Sequence, residues 1–369
     1  MRKVCVVLVD RANYGRLAPV MEAIQAHPAL ELQVVCGGTM PLNRFKRPSN
    51  VVRAAGFPVD AELFAEVEGN SPGTMARSVG LHIGEFVGAF DRLEPDLVLL
   101  IGDRYEMLAA GIAAAYTNRC AVHVQGGEIS GSIDESARHC LSKLAQYHVP
   151  ATEQAAANII RMGERPDTVL EVGCPSCDLA ARITPVDVRP RYVLAVFHPN
   201  TTEHDKAAEQ MEELLSALGS FYARLFWPNI DSGSDAISKT IRQFRDRVSP
   251  TWTYLTNVEP EAYFQLLADA AVCVGNSSSF VRDAGFFGTP VVLVGSRQEG
   301  RECAENVIQV PCERAIINTT TRWQIEHGRY KPSDLYGSPG VSERIAEKLA
   351  TLEPYIQKRL SYAELEAVA

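Results

Sequence analysis

The chain has 369 residues, of which 46% are apolar and 22% are charged, and its formal net charge is −9. This length predicts two domains of roughly 150–200 residues each. The negative charge and the lack of a local lysine or arginine cluster argue against a nucleic-acid-binding protein. The longest apolar runs, such as residues 97–101, are strand-length and far shorter than the ~18 residues of a membrane helix, so no membrane association is expected.

The first residues and the cysteines favour a cytoplasmic protein. The apolar run 4–9 leads into Asp10 and Arg11 without a small-residue cleavage site, and we interpret it as a buried first strand. Nine cysteines, an odd number, are scattered along the chain, which is typical of reduced thiols. The pair Cys174 and Cys177 has no second pair at zinc-ribbon spacing, so no metal site is predicted.

Short apolar runs alternate with segments of helical period along the chain. The predicted strands are 4–9, 31–35, 96–101, 120–124, 192–197, 223–227, 271–275 and 290–294. The main predicted helices are 17–26, 74–92, 105–117, 136–147 and 204–218. This alternation is typical of βαβ units with a parallel sheet. We therefore predict an α/β protein in which two Rossmann-like domains face each other across a cleft, with a hinge at 182–191.

Polar residues follow several predicted strands, where ligands bind in open parallel sheets. Asp103 directly follows a strand, and it is either a cap of the next helix or an acid/base group in the cleft. Asp134 carries the same two interpretations. Glu128 follows two glycines that would let the backbone approach a ligand. His198 ends another strand before a proline and points to the same cleft.

A second group of residues suits a diphosphate. Ser277 and Ser278 lie where a helix begins, so they are either caps or part of a phosphate site. Arg11 and Arg297 would add charge-assisted contacts. The G-x-G-x-x-G fingerprint is absent after the first strand, so a tightly bound NAD is not predicted. Together these residues describe a nucleotide-diphosphate cleft, which fits a glycosyltransferase as well as an epimerase.

Several motifs in the chain resemble the UDP-N-acetylglucosamine 2-epimerases, and more specifically their hydrolysing, sialic-acid-pathway branch. The matching segments are 11–15, 102–106, 123–139, 173–176, 198–199, 228–234, 275–278 and 295–298. The resemblance implies a glycosyltransferase-B-type fold, a UDP-sugar between the domains, no metal and no cofactor, and a homodimer. It implies removal of the sugar C2 proton with loss of UDP, followed by hydration of the resulting glycal. We expect domains at 1–184 and 185–349, with a C-terminal helix at about 350–369 that packs back on the first domain.

The resemblance also suggests roles for individual residues. Asp103 and Asp134 become acid/base candidates, and His198 and Arg11 lie near the diphosphate. Ser277, Ser278 and Arg297 would hold phosphate, Asn229 would line the nucleotide side, and Asp283 would hold the ribose.

The chain departs from the family pattern at some of these positions. Gln125 stands where many relatives have a glutamate, and an amide is no base, so Asp103, Glu128 or Asp134 would take that role. Asn13 replaces an acidic residue, and Asp283 replaces a longer glutamate. The leading hypothesis is a hydrolysing 2-epimerase of UDP-N-acetylglucosamine or a modified UDP-N-acetylhexosamine. The alternatives are a non-hydrolysing epimerase, a glycosyltransferase, and a nucleotide-sugar-binding protein with weakened catalysis.

Overall fold

The computed structural model describes residues 1–69, 71–245, 251–256 and 258–363 and contains two six-stranded sheets. The strands are β1 (Arg2–Leu8), β2 (Leu30–Cys36), β3 (Ala61–Glu62), β4 (Leu97–Ile101), β5 (Cys120–Val124), β6 (Tyr147–Val149), β7 (Val193–Val196), β8 (Ala223–Phe226), β9 (Trp252–Leu255), β10 (Val272–Gly275), β11 (Val291–Val294) and β12 (Val307–Val310). The α-helices are α1 (Arg11–Ala26), α2 (Ser49–Ala54), α3 (Pro72–Leu93), α4 (Tyr105–Tyr116), α5 (Asp134–Leu144), α6 (Glu153–Arg161), α7 (Ser176–Ala180), α8 (Ala207–Leu218), α9 (Ser234–Arg245), α10 (Pro260–Asp269), α11 (Ser278–Arg282), α12 (Arg314–His327) and α13 (Val341–Thr351).

Both sheets have the same topology. The order is β3-β2-β1-β4-β5-β6 in the first sheet and β9-β8-β7-β10-β11-β12 in the second. The neighbouring strands pair in parallel. This is the strand order of the doubly wound dinucleotide-binding fold. The prediction of an α/β protein with two Rossmann-like halves is confirmed.

The central strands are apolar because helices cover both faces of a parallel sheet. All five residues of β4 are buried, for example. Short turns join the strands to the helices that follow. Only two residues separate β1 from α1, and the second of them, Asp10, caps the helix by accepting a hydrogen bond from the Asn13 N–H at 2.7 Å. Polar side chains therefore collect at the carboxyl edge of each sheet, and these two edges face each other.

The chain passes between the two halves twice, through residues 181–192 and again through residues 328–340. After the second passage, α13 packs against α1 of the first half. The Asp178 carboxylate, after the first sheet, accepts hydrogen bonds at 2.6 to 3.2 Å from three N–H groups at the start of α13. The division into domains at 1–184 and 185–349 stays a prediction, since each sheet lies within one range but α13 packs on the other half.

The C-terminal segment differs from the helix expected at about 350–369. Within the described residues the last α-helix is α13, which ends at Thr351, and residues 352–360 are not helical. Pro354 disfavours the helical backbone of the residue before it and lacks an N–H, so the helix stops here. The extended segment still lies on the first half, where the Tyr355 hydroxyl donates to the Gln146 carbonyl at 2.9 Å. Residues 364–369 lie outside the described part of the chain.

The described ranges lack two kinds of feature. None of the helices placed there combines the length and apolarity needed to cross a membrane. Nor do the placed side chains include a group of three or more His, Cys, Asp or Glu residues that could hold a metal ion.

Candidate active site between the two sheets

Polar side chains join the carboxyl edges of the two sheets, and the predicted site residues lie around these contacts. Arg104, after β4, donates from Nη1 to Asp231 Oδ1, beyond β8, at 3.0 Å. Arg16 of α1 donates from Nη2 to Ser278 Oγ of α11 at 3.0 Å. The N–H of Gly131 donates to the Arg297 carbonyl at 3.1 Å. The loop between β5 and α5 thus reaches across to the second half.

Asp103 is held by Arg138 of α5, which donates from Nη2 to Oδ2. Arg138 is fully buried, whereas 27% of the Asp103 side chain remains exposed. Burial raises the pKa of Asp103, but the charges of Arg138, Arg301 and Arg282 outweigh it and hold the pKa well below its usual range. The cap position of α4 is taken by Arg104. Asp103 is therefore an ionised carboxylate with one open side.

Asp134 is the first residue of α5 and has the opposite electrostatic environment. Its Oδ2 accepts from Ser132 Oγ at 3.0 Å and lies 3.8 Å from Arg297 Nη2. Burial, together with the negative charges of Asp103 and Asp231, raises the pKa of Asp134 to about 6. The two carboxylates of the site thus have pKa values displaced in opposite directions, as is usual for groups with different roles in proton transfer.

Glu128 lies in a buried ion cluster. Its carboxylate is 2.6 Å from Arg282 Nη2 and 2.9 Å from Arg301 Nη1, and all three side chains are 2% exposed. Both arginines belong to the second half of the chain, so the cluster joins the two halves. The structure shows Glu128 with its oxygens occupied by cations, and its role as a proton acceptor stays a prediction.

Gln125 occupies a special backbone position directly after β5. Its φ is +63°, a left-handed conformation that few non-glycine residues adopt. The side chain is fully buried; Oε1 accepts from Arg16 Nη1 at 3.4 Å and Nε2 donates to Cys174 Sγ. The amide therefore holds Arg16 in place as a neutral partner.

His198 follows β7 and is a neutral hydrogen-bond donor. Its Nδ1 accepts from the N–H of Asn229 at 3.2 Å, which leaves the hydrogen on Nε2. Burial, together with the charge of Arg297, lowers the pKa of His198 to about 3. His198 can donate from Nε2 to an anion but does not carry a proton for acid catalysis at neutral pH.

The predicted nucleotide-side residues are spread around α11. Ser277 caps this helix by accepting a hydrogen bond from the N–H of Ser279 at 3.4 Å, and the Ser278 hydroxyl accepts one from Arg16. Asp283 is buried and accepts from Ser176 Oγ at 2.7 Å. Burial raises the pKa of Asp283, while the charge of Arg16 lowers it.

Three further predicted residues complete this side. Arg297 donates from Nη1 to the Asn276 carbonyl at 3.2 Å, and Asn229 Nδ2 donates to Asp231 Oδ2. Arg11 lies at the start of α1, where its Nη2 is 3.4 Å from Glu259 Oε1. Four cations therefore each contact the opposite half of the chain: Arg11, Arg16, Arg104 and Arg297.

Sequence reasoning missed Arg16, Arg282 and Arg301. Arg16 lies one and a half turns into α1 and Arg282 ends α11, so both follow strand-end turns on which other residues were singled out. The signal that would have found them is their place on the first turns of helices that begin at the carboxyl edge. Arg301 lies four residues after Arg297, and only its contact with Glu128 in the folded protein shows that it belongs to the site.

Comparisons with known proteins agree with this architecture. A family described as UDP-N-acetylglucosamine 2-epimerase matches residues 22–350. A Legionella pneumophila protein named UDP-N,N'-diacetylbacillosamine 2-epimerase (hydrolyzing) is 32% identical over 97% of this chain and 98% of its own. The UDP-N-acetylglucosamine 2-epimerase of Neisseria meningitidis serogroup B is 27% identical over 96% of this chain and 97% of its own.

Solved structures share the fold. A crystal structure titled UDP-GlcNAc 2-epimerase from Neisseria meningitidis bound to UDP-GlcNAc superimposes with a TM-score of 0.78 at 18% identity, over 95% of this chain and 100% of that one. A Methanocaldococcus jannaschii UDP-GlcNAc 2-epimerase, in complex with UDP-GlcNAc and UDP, gives a TM-score of 0.77 at 15% identity over 94% and 99%. Because the family match spans most of the sequence, the chain belongs to the UDP-N-acetylglucosamine 2-epimerase family.

Proposed function

We propose that the chain is a hydrolysing 2-epimerase that converts UDP-N-acetylglucosamine, or a modified UDP-N-acetylhexosamine, into the free 2-epimeric sugar and UDP. The observation that carries this proposal is the pair Asp103 and Asp134, two interacting carboxylates whose pKa values are displaced in opposite directions. A relative named as hydrolyzing, 32% identical to this chain, supports the proposed outcome of the reaction. We also expect a cytoplasmic homodimer, by likeness to the family.

The first step removes the proton from C2 of the sugar while the C1–O bond to UDP breaks, and a C1–C2 double bond forms. A base is most effective when its pKa is near the working pH. Asp134, with a pKa of about 6, meets this condition, whereas Asp103 is held too acidic to accept a proton well. We assign Asp134 as the proton acceptor and Asp103 as the fixed charge that raises its basicity and holds Arg138.

The leaving group is a diphosphate, and three side chains would donate hydrogen bonds to it. Arg16 and Arg297 carry positive charge to the space between the sheets, and His198 presents a neutral Nε2–H. Preorganised donors of this kind stabilise charge that develops as the bond breaks. Their positions on both halves mean that UDP binding and closure of the two halves would occur together.

The second step adds water to the glycal. The water oxygen bonds to C1, and a proton adds to C2 on the face opposite to the one that lost its proton. The products are the free 2-epimer and the UDP released in the first step. A C2 proton taken from solvent is the signature of this sequence. In a non-hydrolysing epimerase UDP would return to C1 instead.

The test is proton NMR of the purified protein with UDP-N-acetylglucosamine in D2O, repeated with UDP-N,N'-diacetylbacillosamine. We expect free UDP and a free 2-epimeric sugar that carries deuterium at C2. A deuterated UDP-linked sugar without free UDP would contradict hydrolysis and indicate the non-hydrolysing reaction. Binding of either UDP-sugar without any exchange at C2 would contradict catalysis and leave a nucleotide-sugar-binding protein.

A further inference from the structure

His123 of β5 is fully buried and contacts two other elements of the site. Its Nε2 lies 2.8 Å from the carbonyl oxygen of Gly102, the residue directly before Asp103. Its Nδ1 lies 3.1 Å from the hydroxyl of Ser142 on α5. The ring therefore spans from the turn after β4 to the helix that carries Asp134.

The hydrogen-bond partners define the tautomer of the ring. A carbonyl oxygen only accepts, so the hydrogen of His123 is on Nε2 and Nδ1 is an acceptor. Nδ1 faces the Ser142 hydroxyl, whose one hydrogen is shared with the Arg138 carbonyl at 3.2 Å. Burial lowers the pKa of His123 to about 3, although the bond to the Gly102 carbonyl opposes this effect. The imidazole is thus neutral near pH 7, and both of its nitrogens have a hydrogen-bond partner.

The turn at Gly102 lacks side-chain packing of its own. Its φ is +75°, and a Cβ built on this residue would have no heavy atom within 4 Å. Two hydrogen bonds orient its peptide groups: its N–H donates to the Val124 carbonyl at 2.9 Å, and its carbonyl accepts from His123. The second bond acts on the peptide group that leads directly into Asp103.

We propose that His123 is a positioning residue for the reaction. It fixes the position of the Gly102 peptide, and hence of the Asp103 carboxylate, relative to α5. The contact of His123 Nδ1 with Ser142 supports this role, because Ser142 lies one helical turn after Arg138, the partner of Asp103. The contact between His123 and Ser142 requires a glycine at position 126, since a Cβ there would lie 2.8 Å from His123 Nδ1 and 2.7 Å from the Ser142 hydroxyl oxygen. The inference rests on the proposed function, in which Asp103 acts on Asp134.

A second buried histidine of the same sheet serves as a matched control, because its contacts are purely structural. His148 of β6 pairs with His123 across the sheet and is equally buried. Its Nε2 contacts Glu164 at 3.3 Å, which in turn binds Lys143 and Lys358 behind the site. His148 therefore shares the burial and the sheet of His123 but does not contact the turn before Asp103.

The experiment compares His123→Asn, His123→Gln and His148→Asn by kcat, by KM and by the affinity for UDP from calorimetry. The glutamine amide nitrogen reaches the position of Nε2 and restores the bond to Gly102, whereas asparagine reaches only the position of Nδ1. We expect His123→Asn to lose up to ~100-fold in kcat, the effect of a small misplacement of a catalytic group, with UDP affinity unchanged. His123→Gln should recover most of kcat, and His148→Asn should lower the melting temperature but keep kcat.

Each outcome decides the inference. Equal kcat values for His123→Asn and His123→Gln, or an equal loss in His148→Asn, would overturn it. If His123→Asn does not fold, Ser142→Ala takes its place, with an expected loss of about tenfold in kcat for one hydrogen bond and contradiction by an unchanged kcat. No turnover of any UDP-N-acetylhexosamine by the unmodified chain would overturn the proposed function and this inference together. Normal turnover by the unmodified chain and by His123→Asn would overturn this inference alone.

Discussion

Arg138 donates to the Asp103 carboxylate from Nη2 and to the Glu128 carbonyl from Nη1, the latter at 2.6 Å. One fully buried guanidinium thus links the turn after β4 to the loop that precedes α5. Because a guanidinium is planar and always charged, Asp103 is held in one orientation and kept ionised. This relationship underlies the first two predictions.

Asp103→Asn should lower kcat at least ~100-fold, the size of effect expected when a preorganised charge beside the reacting groups is lost. The neutral amide leaves Arg138 without its anion and removes the negative charge that makes Asp134 more basic. Steady-state kinetics with the UDP-sugar measure this loss. Asp96→Asn is the control, since Asp96 is an exposed carboxylate at the opposite end of the same strand. An unchanged rate in correctly folded Asp103→Asn would remove Asp103 from the mechanism.

The acid limb of kcat/KM should reflect Asp134. A base must be ionised to accept a proton, so activity should fall as pH decreases through about 6, the pKa of Asp134. Asp231→Asn should shift this limb to lower pH, because the loss of a nearby negative charge favours ionised Asp134. Asp235→Asn, an exposed change four residues away, should leave the limb in place. A limb that moves to higher pH in Asp231→Asn would contradict the assignment.

Ser278→Ala should mainly weaken UDP binding. It removes a hydroxyl that accepts from Arg16 at the start of α11, and the expected loss is about threefold to tenfold in Kd, the worth of one hydrogen bond. Arg16→Gln should weaken binding more, because it removes a charge as well. Calorimetric titration with UDP measures both variants. Loss of turnover in Ser278→Ala with unchanged UDP affinity would contradict the phosphate-site interpretation.

Glu128→Gln should destabilise the fold strongly. It leaves Arg282 and Arg301 buried without their anion, which typically costs about 3–5 kcal/mol. Glu22→Gln breaks a similar pair with Arg182 in which both side chains are 42–47% exposed, and should cost less than ~1 kcal/mol. Urea unfolding measures the two free energies. Unchanged stability of Glu128→Gln with a ~100-fold loss of kcat would instead favour Glu128 as the base.

The neutral His123 should make the protein acid-sensitive. Its folded-state pKa is about 3, below the usual value of 6.5, so the unfolded chain binds a proton first as pH falls. The unfolding free energy of the wild type should therefore drop relative to that of His123→Gln by about 2 kcal/mol between pH 7 and 5. Urea midpoints at these pH values test this difference. A difference that does not change with pH would contradict a neutral, buried His123.

The middle of each sheet could be predicted from the sequence, and the edges could not. Inner strands such as β4 are continuous apolar runs because helices cover both faces. The edge strand β3 has only two residues and β6 only three, too few to show a pattern. The residues of β6 were therefore joined to the preceding helix, which is predicted to run to 147 but ends at Leu144.

Site residues at strand ends were equally accessible to sequence reasoning, because parallel strands bring their carboxyl ends to one edge. The partners of those residues were not. Glu128 and Arg282 are 154 positions apart and meet only because the two sheets face each other. The pKa of Asp134 likewise depends on Asp231 from the other half. Contacts of this kind follow from how the halves dock, which no local pattern encodes.

The second passage of the chain lies against the first half just before the first passage begins, since the Cys174 N–H donates to the Tyr336 carbonyl at 2.8 Å. Both passages therefore leave the first half at one place, which would provide a single axis about which the two halves turn. A swing about that axis would part Arg104 from Asp231 and Arg16 from Ser278 in the same movement. Entry of a UDP-sugar and release of its products would thus be all-or-none events, with the cations of both halves gathered or dispersed together.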